Sequence, residues 1–132
     1  MLTMRKILLI DTDVLIWMTR GHAGAAHRLQ SIRPWRISAV TYIELAQGCR
    51  NKQELMQIKK GLALCQTEII PVSTAISDRA IQLIDAYALS HSLQLGDALI
   101  AATALEHGLT VLTANIKHFS VVETLAIERF VP

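Results

Sequence analysis

The chain has 132 residues, 52% of them hydrophobic and only 18% charged, with a formal net charge of +2. This length predicts one domain spanning residues 1–132, and this composition excludes a disordered chain. No apolar run approaches the roughly 20 residues that cross a bilayer, so we expect no membrane association and a cytoplasmic protein.

Short β-rich segments alternate with longer helical segments along the chain. The pattern predicts five strands, at Lys6–Ile10, Arg36–Ser38, Glu68–Val72, Thr110–Leu112 and Ile127–Phe130. It predicts six helices, at Val14–Arg20, Ala25–Ser31, Thr41–Cys49, Lys52–Cys65, Thr74–Ser92 and Asp97–His107. The first ten residues lack a small-residue cleavage site, so we interpret them as leading into a strand and not as a signal peptide. The alternation favours an α/β fold with a mainly parallel sheet covered by helices on both faces.

Two carboxylates follow the first predicted strand, in the segment KILLIDTDVLIW. Asp11 directly continues the hydrophobic strand, and a carboxylate buried there needs a partner. Asp13 has a simpler alternative, because an acid at this point could cap the following helix.

Further polar residues lie at the ends of other predicted elements. Glu44 lies in the first turn after the second strand, Asp97 opens a helix, and Thr113 and Asn115 follow the strand TVLT. Ligands of such sheets bind outside the carboxyl ends of the strands, so these side chains share one edge with Asp11. Each alternative is structural: a capping box of Thr41 and Glu44, a capping or dipole role for Asp97, and a turn cap for Asn115.

Acids gathered at one edge repel each other, and their pKa values rise. A hard divalent cation removes that repulsion, and carboxylate and amide oxygens suit Mg²⁺ or Mn²⁺, which also bind phosphates. Such a cation promotes hydrolysis of phosphodiesters. The sequence therefore predicts a metal-dependent hydrolytic site at this edge.

Charge is distributed unevenly along the chain. Residues 1–66 contain ten Lys or Arg against four Asp or Glu, whereas residues 67–132 contain three against seven. A basic surface on one side suits a polyanion such as nucleic acid, although an ordinary solvated surface would give the same counts.

Four segments together resemble the PIN-domain ribonucleases, in particular the VapC-like toxins of bacterial toxin–antitoxin pairs. They are LLIDTDVLIW, ISAVTYIELAQG, LGDALIAATALEHGLTVLTAN and IKHF, in the order and spacing of the family and over essentially the whole chain. The resemblance implies a three-layer sandwich with a five-stranded, mainly parallel sheet between helices. It also implies metal-dependent endoribonuclease activity, an RNA substrate, a cognate antitoxin as partner, and a homodimer.

The resemblance also implies roles for individual residues. Asp11, Glu44 and Asp97 match the three catalytic acids, which imply a bound Mg²⁺ or Mn²⁺, and Thr113 and Asn115 match the last motif of the family. That motif carries Asp or Asn, and the Asn found here can coordinate through its carbonyl oxygen but adds no charge. A site of four carboxylates at the matched positions is therefore absent.

Three rival functions are weighed against this one. The DTDVL segment also resembles the nucleophile motif of haloacid-dehalogenase-like phosphatases, but the downstream acidic pair of that family is missing. A receiver domain would need an Asp at the end of its own third strand, near positions 55 to 60, where the only nearby acid is Glu54. A non-catalytic module that binds RNA or metal is disfavoured because Asp11, Glu44 and Asp97 are all present.

Overall fold

A computed structural model describes residues 6–132 of the chain. Residues 1–5, part of the segment interpreted as leading into the first strand, lie outside the described residues. The strands are β1 (Leu8–Ile10), β2 (Arg36–Ser38), β3 (Glu68–Ile70), β4 (Thr110–Thr113) and β5 (Ile127–Arg129). The helices are α1 (Thr12–Thr19), α2 (Ala23–Gln30), α3 (Ala39–Gln47), α4 (Lys52–Leu64), α5 (Thr74–His91) and α6 (Leu95–His107), with a short 3₁₀ helix at Ile116–His118.

All strand pairs in the described residues are parallel, as the alternation of strands and helices predicts. β4 pairs with β1 on one side and with β5 on the other, and β2 pairs with β3. β1 lies beside β2, which gives the spatial order β3-β2-β1-β4-β5. No ladder joins β1 to β2 in the described residues, so the five strands form hydrogen-bonded sheets of three and two strands instead of one continuous sheet.

Helices cover both faces of the strands, which confirms the three-layer arrangement. Successive side chains of a strand point to opposite faces. Leu9 of β1 therefore packs into a core with α5 and α6, whereas Leu8 and Ile10 pack into a second core with α1 and α2. Because both faces are covered, β1 is apolar throughout and every residue of β4 is buried, its two threonines included.

Four helices, α1, α2, α3 and α6, begin two residues before their predicted starts, and the caps of α1 and α3 explain two of these differences. α1 begins at Thr12, since the Asp11 side chain accepts a hydrogen bond from the Thr12 N–H. The interpretation of Asp13 as the cap is therefore wrong. α3 begins at Ala39, where Ser38 Oγ accepts from the Val40 N–H at 3.1 Å.

The start of α3 removes the capping box proposed for Thr41 and Glu44. Ser38 is the cap, so Thr41 lies inside the helix, fully buried, and Glu44 lies in its second turn. α6 begins at Leu95, two residues before Asp97, and its cap Gln94 makes no side-chain hydrogen bond. Asp97 therefore lies in the first turn, where a carboxylate interacts favourably with the helix dipole. None of the helices in residues 6–132 has the length and apolar character that a membrane span needs.

Candidate metal centre

Asp11 lies at the junction of β1 and α1 and is only 6% exposed. Its backbone N–H donates to the Leu112 carbonyl at 2.9 Å, which extends the pairing with β4 by one residue. Its Oδ1 accepts from the Thr12 N–H at 2.8 Å, and its Oδ2 accepts from the Thr113 hydroxyl at 2.8 Å. Both carboxylate oxygens are thus held by neighbours, and the carboxyl group is fixed at the carboxyl edge of the strands.

Asp13 belongs to the same cluster, although sequence reasoning left its role open. It lies in the first turn of α1, half-buried. Its Oδ2 is 3.3 Å from the Thr113 hydroxyl, and its Oδ1 accepts from the Ala114 N–H at 3.3 Å. A single hydroxyl therefore lies between the carboxylates of Asp11 and Asp13.

The pKa of Asp11 is raised from its ordinary value of 3.8 to about 8. Burial is the largest cause, because it removes water from the charged form, and the nearby charge of Asp13 adds to it. The hydrogen bonds from Thr113 and Thr12 oppose the shift but do not cancel it. Without a cation, this carboxyl group is therefore held mainly as the neutral acid at pH 7.

Glu44 reaches the cluster from α3 through a threonine. Its Oε1 accepts from the Thr12 hydroxyl at 2.7 Å, and the Thr12 oxygen lies 3.0 Å from the hydroxyl of buried Thr41. Glu44 also lies against the first turn of α6, since a Cβ at Gly96 would be 3.4 Å from Glu44 Oε2. α3 and α6 thus meet at this carboxylate, while its exposed Oε2 remains free of protein hydrogen bonds in the described residues.

Asp97 enters from the first turn of α6, with a side chain that is 17% exposed. Burial raises its pKa, and the negative charges of Glu44 and Asp13 act in the same direction. His118 and a hydrogen bond from the Gln94 backbone lower the pKa, but burial outweighs them. The influence of Glu44 and Asp13 on Asp97 shows that the acids of α1, α3 and α6 share one environment.

The Asn115 side chain is directed toward His118 and makes no hydrogen bond to the acids in the described residues. The backbone N–H of Asn115 donates to the Thr113 hydroxyl oxygen at 2.9 Å, and its side-chain Nδ2 donates to His118 Nε2 at 3.1 Å. This assignment leaves the imidazole proton on Nδ1, which lies 3.6 Å from Asp97 Oδ1. Asn115 therefore contacts the acids indirectly, through His118 and Thr113.

The donor set suits a hydrated cation better than a closed metal cage. No three His, Cys, Asp or Glu side chains of residues 6–132 are arranged so that they could together hold a metal ion. Mg²⁺, however, keeps several of its waters and uses only one or two protein carboxylates. Within the same residues, His118 is the one basic side chain in salt-bridge range of these four acids. Asp11 and Asp13 share one hydroxyl, and Glu44 and Asp97 lie nearby with a single histidine in range, so a divalent cation would balance their charges and the residues fit the ion.

Sequence reasoning left the role of Asp13 open and missed one feature of this centre. Asp13 was placed beside Asp11 just past the strand end, with a helix cap as the alternative. The link from Thr41 through Thr12 to Glu44 had no signal, because 29 residues separate the two threonines.

A groove of about 970 Å³ opens beside the acids, between α1, α3 and α4. The groove is lined by Glu44, by apolar residues such as Leu15, Ile58 and Leu64, and by the basic residues Arg20 and Arg33. An elongated occupant of this groove would therefore approach the acid cluster.

Comparison with known proteins identifies related sequences and structures. The family model of the PIN domain matches residues 8–124 of this chain. The chain is 37% identical to "Ribonuclease VapC10" of Mycobacterium tuberculosis over 123 residues, which cover 90% of each protein.

Solved structures agree with the sequence match. A toxin–antitoxin complex from Klebsiella pneumoniae superposes with a TM-score of 0.76 at 29% identity, over 90% of this chain and 95% of that one. FitAcB from Neisseria gonorrhoeae superposes with a TM-score of 0.70 at 26% identity, over 91% of this chain and 95% of that one. DNA-bound VapBC from Salmonella typhimurium superposes with a TM-score of 0.78 over 95% of this chain and 98% of that one. At 20% identity this similarity supports the fold alone.

Proposed function

The chain belongs to the PIN-domain family, and on that basis we propose that it is the endoribonuclease toxin of a toxin–antitoxin pair, hydrolysing RNA phosphodiesters with Mg²⁺ or Mn²⁺. One observation carries the proposal: Thr12, the residue after Asp11, donates to Glu44, and Glu44 lies against the first turn of α6, which carries Asp97. The match of the PIN-domain family model to residues 8–124 excludes the haloacid-dehalogenase and receiver interpretations.

The three acids have separate tasks in this proposal. Asp11, which is buried, and Asp97, which is half-buried, would hold the cation. Glu44 is anchored through Oε1 by Thr12, which leaves Oε2 available to accept a proton from an attacking water. A bound divalent cation supplies Lewis acidity toward the phosphate and favours deprotonation of that water.

Thr113 and Asn115 act on the geometry of the site. The Thr113 hydroxyl fixes Asp11 Oδ2, and the Asn115 backbone N–H in turn fixes the Thr113 oxygen. The exposed edge of Asn115 and His118 lies where the scissile phosphate would approach. These residues orient the cation-binding acid and the phosphate and do not transfer protons.

An RNA-cleavage assay with and without chelator tests the proposal. We expect cleavage with Mg²⁺ or Mn²⁺, none in EDTA, and recovery when the metal is restored, because only a cation can hold these acids ionised beside a phosphate. Gel separation of labelled RNA fragments measures the result. RNA binding without cleavage under every metal condition would support the non-catalytic module instead.

The basic half of the chain is proposed to bind the RNA backbone. Arg33, Lys59 and Lys60 are exposed, and Arg36 is half-buried at 4.0 Å from Glu68. Cations on one side of the molecule neutralise phosphates and release counterions.

Reversing the charges of Arg33, Arg36, Lys59 and Lys60 should weaken RNA binding and flatten its dependence on salt. Each lost contact to a single strand should lower the slope of log K against log salt by about 0.7. Fluorescence anisotropy at several salt concentrations measures the slope. The double variant Arg33→Lys, Arg36→Lys keeps the charge and should keep the slope, whereas an unchanged slope in the reversed variant would show that these cations do not contact RNA.

A homodimer is proposed through the outer face of α5 and α6. Ile81 and Leu95 are 60% and 72% exposed, and they line an apolar cleft of about 460 Å³ with Ile84 and Leu99. Ile43 on α3, which packs against α6, is 58% exposed. Apolar side chains gathered in this way mark an interaction surface. Leu95 precedes Asp97 by two residues and Ile43 precedes Glu44 by one, so the dimer would border the acids.

The antitoxin is proposed to occupy the groove between α1, α3 and α4. Its apolar walls suit the apolar face of a peptide segment, and Arg20 and Arg33 in its lining suit acidic residues on that segment. Since Glu44 lines the groove, an occupant would also obstruct the acid cluster.

A further inference from the structure

Asp13 carries a charge that the local structure does not require. Helix α1 is capped by Asp11, and the two hydrogen bonds of Asp13, from Thr113 and Ala114, are both long at 3.3 Å. An Asn side chain could keep both contacts without a second negative charge beside Asp11, because its carbonyl oxygen could accept from the Ala114 N–H while its amide N–H donates to the Thr113 oxygen. Since the Asp13 carboxylate shares the Thr113 hydroxyl with the Asp11 carboxylate, its charge is unfavourable in the cation-free protein.

Asn115, at the position matched to a fourth acid, is by contrast a neutral residue, and its side chain is hydrogen-bonded outside the acid cluster. Asn115 donates its side-chain N–H to His118, and its side chain makes no hydrogen bond to Asp11, Asp13, Glu44 or Asp97 in the described part of the chain. The centre thus lacks a carboxylate on the side of β4 and gains one from the first turn of α1.

We propose that Asp13 supplies the fourth carboxylate charge of the cation site, in place of Asn115. The inference rests on the proposed function, since it assumes that Asp11 and Asp97 hold a divalent cation. Asp13 approaches the same Thr113 hydroxyl as Asp11, so a cation held by Asp11 would also be attracted by the charge of Asp13. The negative charge of Asp13, which is unfavourable without a cation, would become favourable when a cation binds.

The test is Asp13→Asn, with two readouts that should move in opposite directions. We expect the affinity for Mn²⁺ to fall by about tenfold, as for other groups that support metal ligands, because one attractive charge is lost. The melting temperature of the cation-free protein should rise, because the repulsion with Asp11 and Asp97 is removed. Paramagnetic resonance of free Mn²⁺ and calorimetric unfolding in EDTA measure the two effects.

Two variants complete the design. Asp78→Asn makes the same chemical change at an exposed acid on α5, and both readouts should match the wild type. Asp13→Glu keeps the charge and should retain more Mn²⁺ affinity than Asp13→Asn.

The outcomes separate this inference from the proposed function. Wild-type affinity in Asp13→Asn, with an unchanged or lower melting temperature, would overturn the role of Asp13 and leave the proposed function intact. Failure of the wild-type protein to bind Mn²⁺ would overturn the proposed function itself, and this inference with it.

Discussion

Replacement of Asp11 by Asn is expected to lower metal-dependent cleavage of RNA by at least about 10³-fold. A bound cation contributes several kcal/mol to transition-state stabilisation, and each 1.4 kcal/mol is about tenfold in rate. Asn keeps a side-chain oxygen that can accept from the Thr12 N–H, and it is a good helix cap, so the start of α1 should be preserved. Single-turnover cleavage under saturating Mg²⁺ measures the loss.

The fold of this variant should be intact, which circular dichroism and the melting temperature check. Asp78→Asn is the matched control, because it removes the same charge from an exposed position and should cleave at the wild-type rate. Undiminished cleavage by Asp11→Asn would remove Asp11 from the mechanism.

The stability of the cation-free protein should fall as the pH rises from about 5 to about 8. The folded pKa of Asp11, about 8, lies above its ordinary value of 3.8, so in this range the folded state holds a proton that the unfolded chain has released. Deprotonation then favours the unfolded chain, with a slope of up to about 1.4 kcal/mol per pH unit that levels off above the folded pKa. The raised pKa of Asp97 acts in the same direction.

Urea unfolding in EDTA at several pH values measures this slope, and Asp11→Asn is the control in which it should become flatter. Adding Mg²⁺ at pH 8 should restore stability to the wild type, because a ligand that binds the folded state stabilises it by mass action. The raised pKa would be contradicted if the wild type and Asp11→Asn lost stability equally between pH 5 and pH 8.

The parts of the fold that the sequence predicts are those with a periodic signal. Five strands and six helices occur where the alternation of apolar segments predicts them, with ends that shift by one or two residues. The helix starts at Thr12 and Ala39 depend on single bonds from the side chains of Asp11 and Ser38, which compete with other possible caps nearby. The missing ladder between β1 and β2 could not be predicted, since alternation alone does not specify which neighbours form hydrogen bonds.

The acids at the ends of elements were visible in the sequence for a geometric reason. Asp11 follows β1, Asp97 lies in the first turn of α6 and Glu44 in the second turn of α3, so all three are near the carboxyl edge of the strands, where ligands of such sheets bind. The direction of a side chain is not part of the rule. The turn of Asn115 toward His118 and the approach of Asp13 to Asp11 depend on packing between β4 and α1, which no local pattern reports.

The central claim is that the acids around Asp11 hold a divalent cation, and direct Mn²⁺ binding tests it most directly. Titration of the metal-free protein at pH 7.5, followed by the resonance of free Mn²⁺, should show binding by the wild type that Mg²⁺ competes away. In Asp11→Asn the affinity should fall at least about tenfold, since a buried ligand of the cation is lost. Equal Mn²⁺ affinity in the wild type and in Asp11→Asn, or no binding by the wild type, would contradict the account.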